Sequence, residues 1–125
     1  MYASDYAVAS NSLGVFLEAF NLYKDAYSCY RLAHLLMPSE PDYPYNMGNA
    51  DYYSGEKYAA MWDYKLALSI SPAHAKSWYN LGVVYNSLRD YRSALKCFEK
   101  VRELDPDWPD IDRTIGIVRD YDVKM

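Results

Sequence analysis

At 125 residues the chain has the length of a single domain, and its net charge of −4 argues against nucleic acid or an anionic membrane surface as the main partner. It contains no run of 18 apolar residues, so no membrane-spanning helix is expected. The opening Met1-Tyr2-Ala3-Ser4-Asp5 has neither the basic region nor the apolar stretch of a secretory signal.

Residues 1–6 read as a short tail in which Ser4 or Asp5 can cap the first helix. That helix is predicted from about Tyr6 to Phe20, on Val8, Leu13, Phe16, Leu17 and Phe20 at helical spacing, with Asn21 as its stop. A second runs from about Lys24 to Met37 and ends at Pro38, because the residue before a proline is pushed out of the α region. In the turn that follows, Asp42 can cap the third helix. Pro44 is tolerated in that helix's first turn, where the backbone N–H has no intrahelical partner to lose. Ser54-Gly55 ends the third helix, and the fourth spans about Lys57 to Ile70, before Pro72. The fifth covers about Ala75 to Leu88 and turns at Arg89-Asp90 into the sixth, about Tyr91 to Leu104. Past Asp105-Pro106-Asp107, a seventh helix from about Asp110 to Val123 carries Ile111, Ile115 and Val118 on one face, a stripe suited to covering the helix before it. The expectation is seven helices and no sheet.

The stretch Trp78-Tyr79-Asn80-Leu81-Gly82-Val83-Val84-Tyr85 is followed by Ala94, Phe98 and Pro106. Stepping by one period takes Leu81-Gly82 back to Met47-Gly48 and Leu13-Gly14, and forward to Ile115-Gly116. Ala94 projects to Ala60 and Ala26, Phe98 to Tyr64 and Tyr30, Val101 to Ala67 and Ala33, and Pro106 to Pro72 and Pro38, with no insertion or deletion. This W-x2-L-G-x2-Y…A-x3-F…P pattern resembles the tetratricopeptide repeat family, whose helix–turn–helix unit is about 34 residues long.

The resemblance implies an all-α, α-solenoid fold of three tetratricopeptide repeats, 7–40, 41–74 and 75–108, with 109–125 as a C-terminal capping helix or a partial fourth repeat. It also implies that Gly14 faces Ala26, Gly48 faces Ala60 and Gly82 faces Ala94, where the paired helices approach closely. The second repeat departs from the pattern: Pro44 replaces the Trp, and Asp51 stands where Tyr is expected, with Tyr52 beside it. Cys29 and Cys97 share one repeat position on non-adjacent repeats, which argues against a bridge and for reduced thiols in a cytoplasmic protein.

No catalytic or metal-binding constellation is visible. His34 and His74 have no Cys or His at ligand spacing, and His74 reads as a cap or a solvent-facing residue. No phosphate loop, G-x-S-x-G or H-E-x-x-H occurs, and the Asp and Glu residues read as caps and solvated surface. The expectation is no enzyme, no cofactor and no metal. Arg89, Arg92, Lys96 and Lys100 form a basic stripe, read first as a solvated face balanced by Glu99 and Glu103, with a docking patch for an acidic partner as the alternative.

In the family the first helix of each repeat lines a concave face. Matching positions here are Asn11, Tyr45 and Tyr79, then Asn46 and Asn80, then Val15, Asn49 and Val83. Tyr52, Tyr53 and Asn86 lie further along, and Lys76 stands at the start of the third repeat. The last helix continues the register with Arg113, Thr114 and Ile117. Amides flanked by tyrosine rings suit an extended peptide, because Asn both donates and accepts and Tyr gives contact area at low rotamer cost. The function this implies is a non-enzymatic protein–protein interaction module holding a partner peptide or helix in its concave groove, with neither nucleic acid nor membrane as partner. The alternative is a structural scaffold that self-associates into a homo-oligomer through the solenoid ends or the terminal helix, where Ile117 and Tyr121 widen the apolar face. Some relatives grip the C-terminal carboxylate of heat-shock chaperones. The corresponding positions here hold Asn11, Val15, Asn46, Lys76 and Asn80, of which only Asn46 and Lys76 match, so that ligand is not expected.

Overall fold

The computed structural model describes residues 2–124. It contains, in chain order, α1 (Tyr2–Ala19), α2 (Tyr23–Leu36), α3 (Asp42–Tyr53), α4 (Lys57–Ile70), α5 (Ala75–Ser87), α6 (Tyr91–Leu104) and α7 (Ile111–Lys124), with no strand among the described residues. This is an all-α helical-repeat fold of the solenoid class. The turns inside the pairs share one device. Asn21, Gly55 and Arg89, one period apart, take φ of 62°, 90° and 62°. A left-handed residue just past a helix lets the chain reverse while the last carbonyls find donors.

Two helix starts differ from expectation. The first begins at Tyr2 rather than about Tyr6, so Ser4 and Asp5 lie inside it instead of capping it. Nothing in that stretch breaks a helix, and Asp5 in the first turn complements the positive helix end. In α3 the cap position is Pro41, already helical at φ −70° and ψ −21°, so Asp42 is the first helical residue rather than the cap. His74 does cap α5: its Nδ1 accepts the Ser77 N–H at 3.3 Å.

The chain forms two compact units, one ending at Pro72 and one beginning at Ala73. In the first, α1 packs on α2, α2 on α3 and α3 on α4; in the second, α5 packs on α6 and α6 on α7. The glycines decide how the pairs close. A Cβ on Gly14 would lie 2.5 Å from the Tyr30 ring, one on Gly48 2.6 Å from Tyr64, and one on Gly82 2.7 Å from Phe98. The nearest group is therefore an aromatic ring, not the alanine the family pattern implies. Ala26, Ala60 and Ala94 are fully buried, but the ring one turn later lies against the glycine backbone. Gly116 has nothing within 4 Å of such a Cβ.

The Tyr30 and Phe98 rings are also packed by the next helix of their unit. Ala26 and Tyr30 cluster with Met47 and Ala50. Ala94, Phe98 and Val101 cluster with Ile111, Ile115 and Val118, so the stripe on α7 covers α6 as its spacing predicts. The outer side of α7 is polar, with exposed Asp112, Arg113, Arg119 and Asp120; Arg119 pairs with Glu99 and Arg102 with Asp112, both at 3.4 Å. The predicted apolar face of the first helix does not become core. Val8, Leu13, Phe16 and Phe20 are more than half exposed, while Ala7 and Gly14 face inward. The bulky Tyr30 ring fills the contact with α2 against Gly14, and of the predicted face Leu17 packs, partly buried, on the Tyr30 cluster.

The contrast between the glycines is testable. Gly82→Leu forces the Phe98 ring out of a filled core and should destabilise by about 2 kcal/mol, within the range for overpacking. Gly116→Leu meets open space and should leave stability unchanged or slightly raised, since a helical glycine is itself unfavourable. Urea unfolding midpoints of the two variants check both expectations.

Candidate functional site

In the first unit, α1 and α3 bring part of the predicted surface together. Asn46 Nδ2 donates to Asn11 Oδ1 at 2.8 Å, so the two amides are a linked pair. Tyr45 lies with its ring 5.9 Å from the Tyr64 ring. The Tyr64 hydroxyl donates to Asn49 Oδ1 at 2.6 Å, which ties the Asn49 carbonyl back to α4. At the end of α3, Tyr52 meets Tyr53 edge-on at 6.0 Å, and Tyr53 stacks on Tyr23 at 5.5 Å. Val15 is half exposed and apolar.

In the second unit, Tyr79, Val83 and Asn86 of α5, with Thr114, Ile117, Val118 and Tyr121 of α7 and Phe98 beneath, line an open concavity of about 230 Å³. Tyr91 stacks on Tyr121 at 5.6 Å and steadies its outer wall. Lys76 and Asn80 do not line this concavity. Tyr79 is not the solvent-pointing anchor the groove pattern suggests: its ring sits 5.5 Å from Phe98 and 5.1 Å from Trp108, and it packs against the core cluster. Ile117, which continues the concave-face register, and Tyr121, expected only on an apolar face for self-association, both line the concavity. Their repeat register, shared with Val83 and Ser87, was the available signal.

Glu18 was also missed. It stands at the repeat position of Tyr52 and Asn86, and it accepts from the Tyr30 hydroxyl at 3.4 Å. Burial raises its pKa while that hydrogen bond lowers it, and burial together with the Glu18 charge pushes the Tyr30 hydroxyl strongly upward.

The expectation that every acidic residue is cap or surface fails at Asp63. This α4 side chain is 8% exposed, and its Oδ2 is buried with no hydrogen-bond partner among the described residues. Burial raises its pKa to about 9, helped by a hydrogen bond from the neutral carboxyl to Asp51 on α3 and by the Asp51 charge. Burial and the charges of Asp63 and Asp51 push the Tyr27 hydroxyl of α2 upward, and the Arg31 charge opposes them. Asp63 breaks a column whose other members are Cys29 and Cys97, and Asp51 replaces the expected Tyr, so both departures were legible as substitutions. That they meet inside the fold was not.

The sign of the pH effect follows. Asp63 has an ordinary value of 3.8 when exposed and about 9 in the fold, so between these the folded chain binds the extra proton. Stability therefore falls as pH rises across that window. Asp63→Asn keeps the shape without the charge. It should flatten the slope, so that its gain in stability over wild type is much larger at pH 8.5 than at pH 5. Urea titrations at the two pH values measure this.

Residues 75–107 match the tetratricopeptide repeat family model. The heat-shock protein cognate co-chaperone sgt12 of Aspergillus fumigatus is 32% identical over 78 residues, 62% of this chain but only 23% of that protein, so the chain spans about a quarter of the curated relative's length. The Sgt2 tetratricopeptide repeat domain from Aspergillus fumigatus superposes with a TM-score of 0.83 at 26% identity, covering 90% of this chain and 76% of that one. The first such domain of Spaghetti (RPAP3), solved with the HSP90 peptide SRMEEVD, gives a TM-score of 0.88 at 22% identity over 94% of this chain and 93% of its own.

Proposed function

Because the chain belongs to the tetratricopeptide repeat family, we propose that it is a non-enzymatic protein-interaction module of the cytoplasm, holding a partner peptide or helix on the exposed face of the first helices of its repeats. The observation that carries this reading is the concavity between α5 and α7. Its Val83, Ile117 and Tyr121 walls accept an apolar side chain, and Asn86 and Thr114 at its rim offer donors and acceptors to a peptide backbone. The Asn11–Asn46 pair and Val15 supply a comparable polar and apolar surface within the first unit. The bound HSP90 peptide of the Spaghetti domain supports a peptide as the ligand class.

The chemistry of that peptide differs from the acidic one. Where relatives grip a C-terminal carboxylate, Asn11, Val15 and Asn80 leave Lys76 as the one cation among these positions. A chain of net charge −4 gains little from an acidic ligand there. An apolar anchor residue flanked by neutral backbone is the better match.

The test uses a random-sequence peptide array to find ligands, followed by titration calorimetry. Asn86→Ala with Ile117→Glu alters two exposed residues of the concavity and should weaken the selected peptides at least tenfold, about 1.4 kcal/mol, with an unchanged thermal melt. Arg92→Ala with Lys96→Ala on the basic stripe should bind as wild type. Arg92 is itself highly exposed and pairs with Asp122 at 3.7 Å, so its loss should cost the fold little. A peptide lost by the stripe variant and retained by the concavity variant moves the site to the other face.

A further inference from the structure

On α4 the residues Tyr58, Trp62 and Leu66 follow one another at a spacing of four, which lines them up along one side of the helix. That side is turned away from the core. Ala60, Tyr64, Ala67 and Leu68 are buried, whereas Tyr58 and Trp62 are each 67% exposed and Leu66 is 37% exposed. The packing of a repeat does not require rings there: the same repeat positions hold Lys24, Ser28 and Leu32 on α2 and Arg92, Lys96 and Lys100 on α6. The chain also continues into helices on both sides of α4, so the bare rings do not stand at an open end of the array.

Charge in the first unit is segregated. The four cations of residues 1–72 all stand on the second helix of a repeat, Lys24 and Arg31 on α2 and Lys57 and Lys65 on α4. The first helices carry only carboxylates, Asp5 and Glu18 on α1 and Asp42 and Asp51 on α3. Against the four cations α2 exposes Asp25, while Asp63 of α4 is buried and Glu56 stands before that helix at its N-cap. The net charge of −4 thus conceals a cationic side. The rings belong to it, since Lys65 Nζ lies 5.0 Å from the Trp62 ring centroid. A bare indole face carries negative potential and repels a carboxylate. An ammonium seated on it reverses that preference, so an acidic group can pair with the cation while an apolar neighbour packs on the ring.

We propose that this side of α4 is a docking surface for a carboxylate-rich amphipathic helix of another protein, which lays large apolar side chains on Tyr58, Trp62 and Leu66 and sets its carboxylates against Lys57 and Lys65. A line of side chains along one helix is complemented by a second helix that presents apolar residues three and four apart. Trp and Tyr are favoured as anchors in such contacts, and opposed charges select the partner and speed encounter. A basic helix would meet two lysines and find no exposed carboxylate on α4 to receive it. This surface is separate from the concavity of α5 and α7 and does not rest on it.

The probe is a fluorescein-labelled peptide of Leu-Glu-Glu-Leu-Leu-Glu-Glu repeats, titrated with the full chain and followed by anisotropy. It should bind saturably and more weakly as salt is added. Its counterpart with Gln for Glu should bind about tenfold more weakly. Tyr58→Ala with Trp62→Ser should weaken the acidic peptide roughly tenfold or more, the scale of a lost aromatic anchor, with the thermal melt of wild type. Trp62→Ser installs the residue that α2 carries at this position, so the fold accommodates it. Lys57→Gln with Lys65→Gln should weaken binding as well. Arg92→Ala with Lys96→Ala removes two cations at the matching positions of α6, where no ring stands, and should bind as wild type. A wild-type chain that does not bind the acidic peptide overturns the proposal, as do equal binding of the Gln peptide and full binding by the ring variant. Loss in the α6 variant overturns it too, because the attraction is then to any basic surface. Trp62-dependent pelleting with phosphatidylserine vesicles, without capture of the peptide, makes the patch a lipid contact and overturns the helix reading.

Discussion

An aromatic ring laid against a glycine backbone is the contact on which the rest of this molecule depends. It occurs three times, at Gly14–Tyr30, Gly48–Tyr64 and Gly82–Phe98. The missing Cβ lets a full ring slide between two helices, so each pair closes tightly with a large buried side chain at its centre. The small residues around each ring follow from it: Ala26, Ala60 and Ala94 are fully buried one turn before, and Ala33, Ala67 and Val101 nearly a turn after. Where the next helix of the unit covers the ring, it does so with matching volumes, Met47 and Ala50 over Tyr30, or Ile115 and Val118 over Phe98.

The same rings join the core to the exposed face of the first helix of each repeat. Tyr30 and Tyr64 carry hydroxyls through the contact, which bond Glu18 and Asn49 on the preceding helix. Phe98 has no hydroxyl, and there the junction is made by the Tyr79 ring, held between Phe98 and Trp108. The candidate binding surface is thus partly made of core residues, which gives it a fixed shape before any ligand arrives and lowers the ordering cost of binding. The Asp51–Asp63 pair is the exception to this economy. It places a carboxyl with an unpartnered oxygen between α3 and α4, a destabilising arrangement above the pH at which Asp63 holds its proton.

By itself the sequence determined the helices, their order, most of their boundaries and the residues that recur. These are local properties: prolines at 38, 72 and 106 stop helices wherever they fall, and a left-handed stop at Asn21, Gly55 or Arg89 needs no distant contact. The period also marked the glycines as packing residues and put Tyr79, Val83 and Asn86 on one surface. What only the tertiary structure decided was what each of these residues meets. The periodicity of α1 could not say that Leu13 and Phe16 face outward, because an apolar stripe is equally consistent with core and with an unpartnered face. The register could not say that Tyr79 is clamped by Trp108, a residue of an irregular turn whose path no spacing encodes. Nor could it say that Asp63 is buried against Asp51, because the burial of a side chain depends on the helix laid across it, and that is a property of packing rather than of the chain that packs.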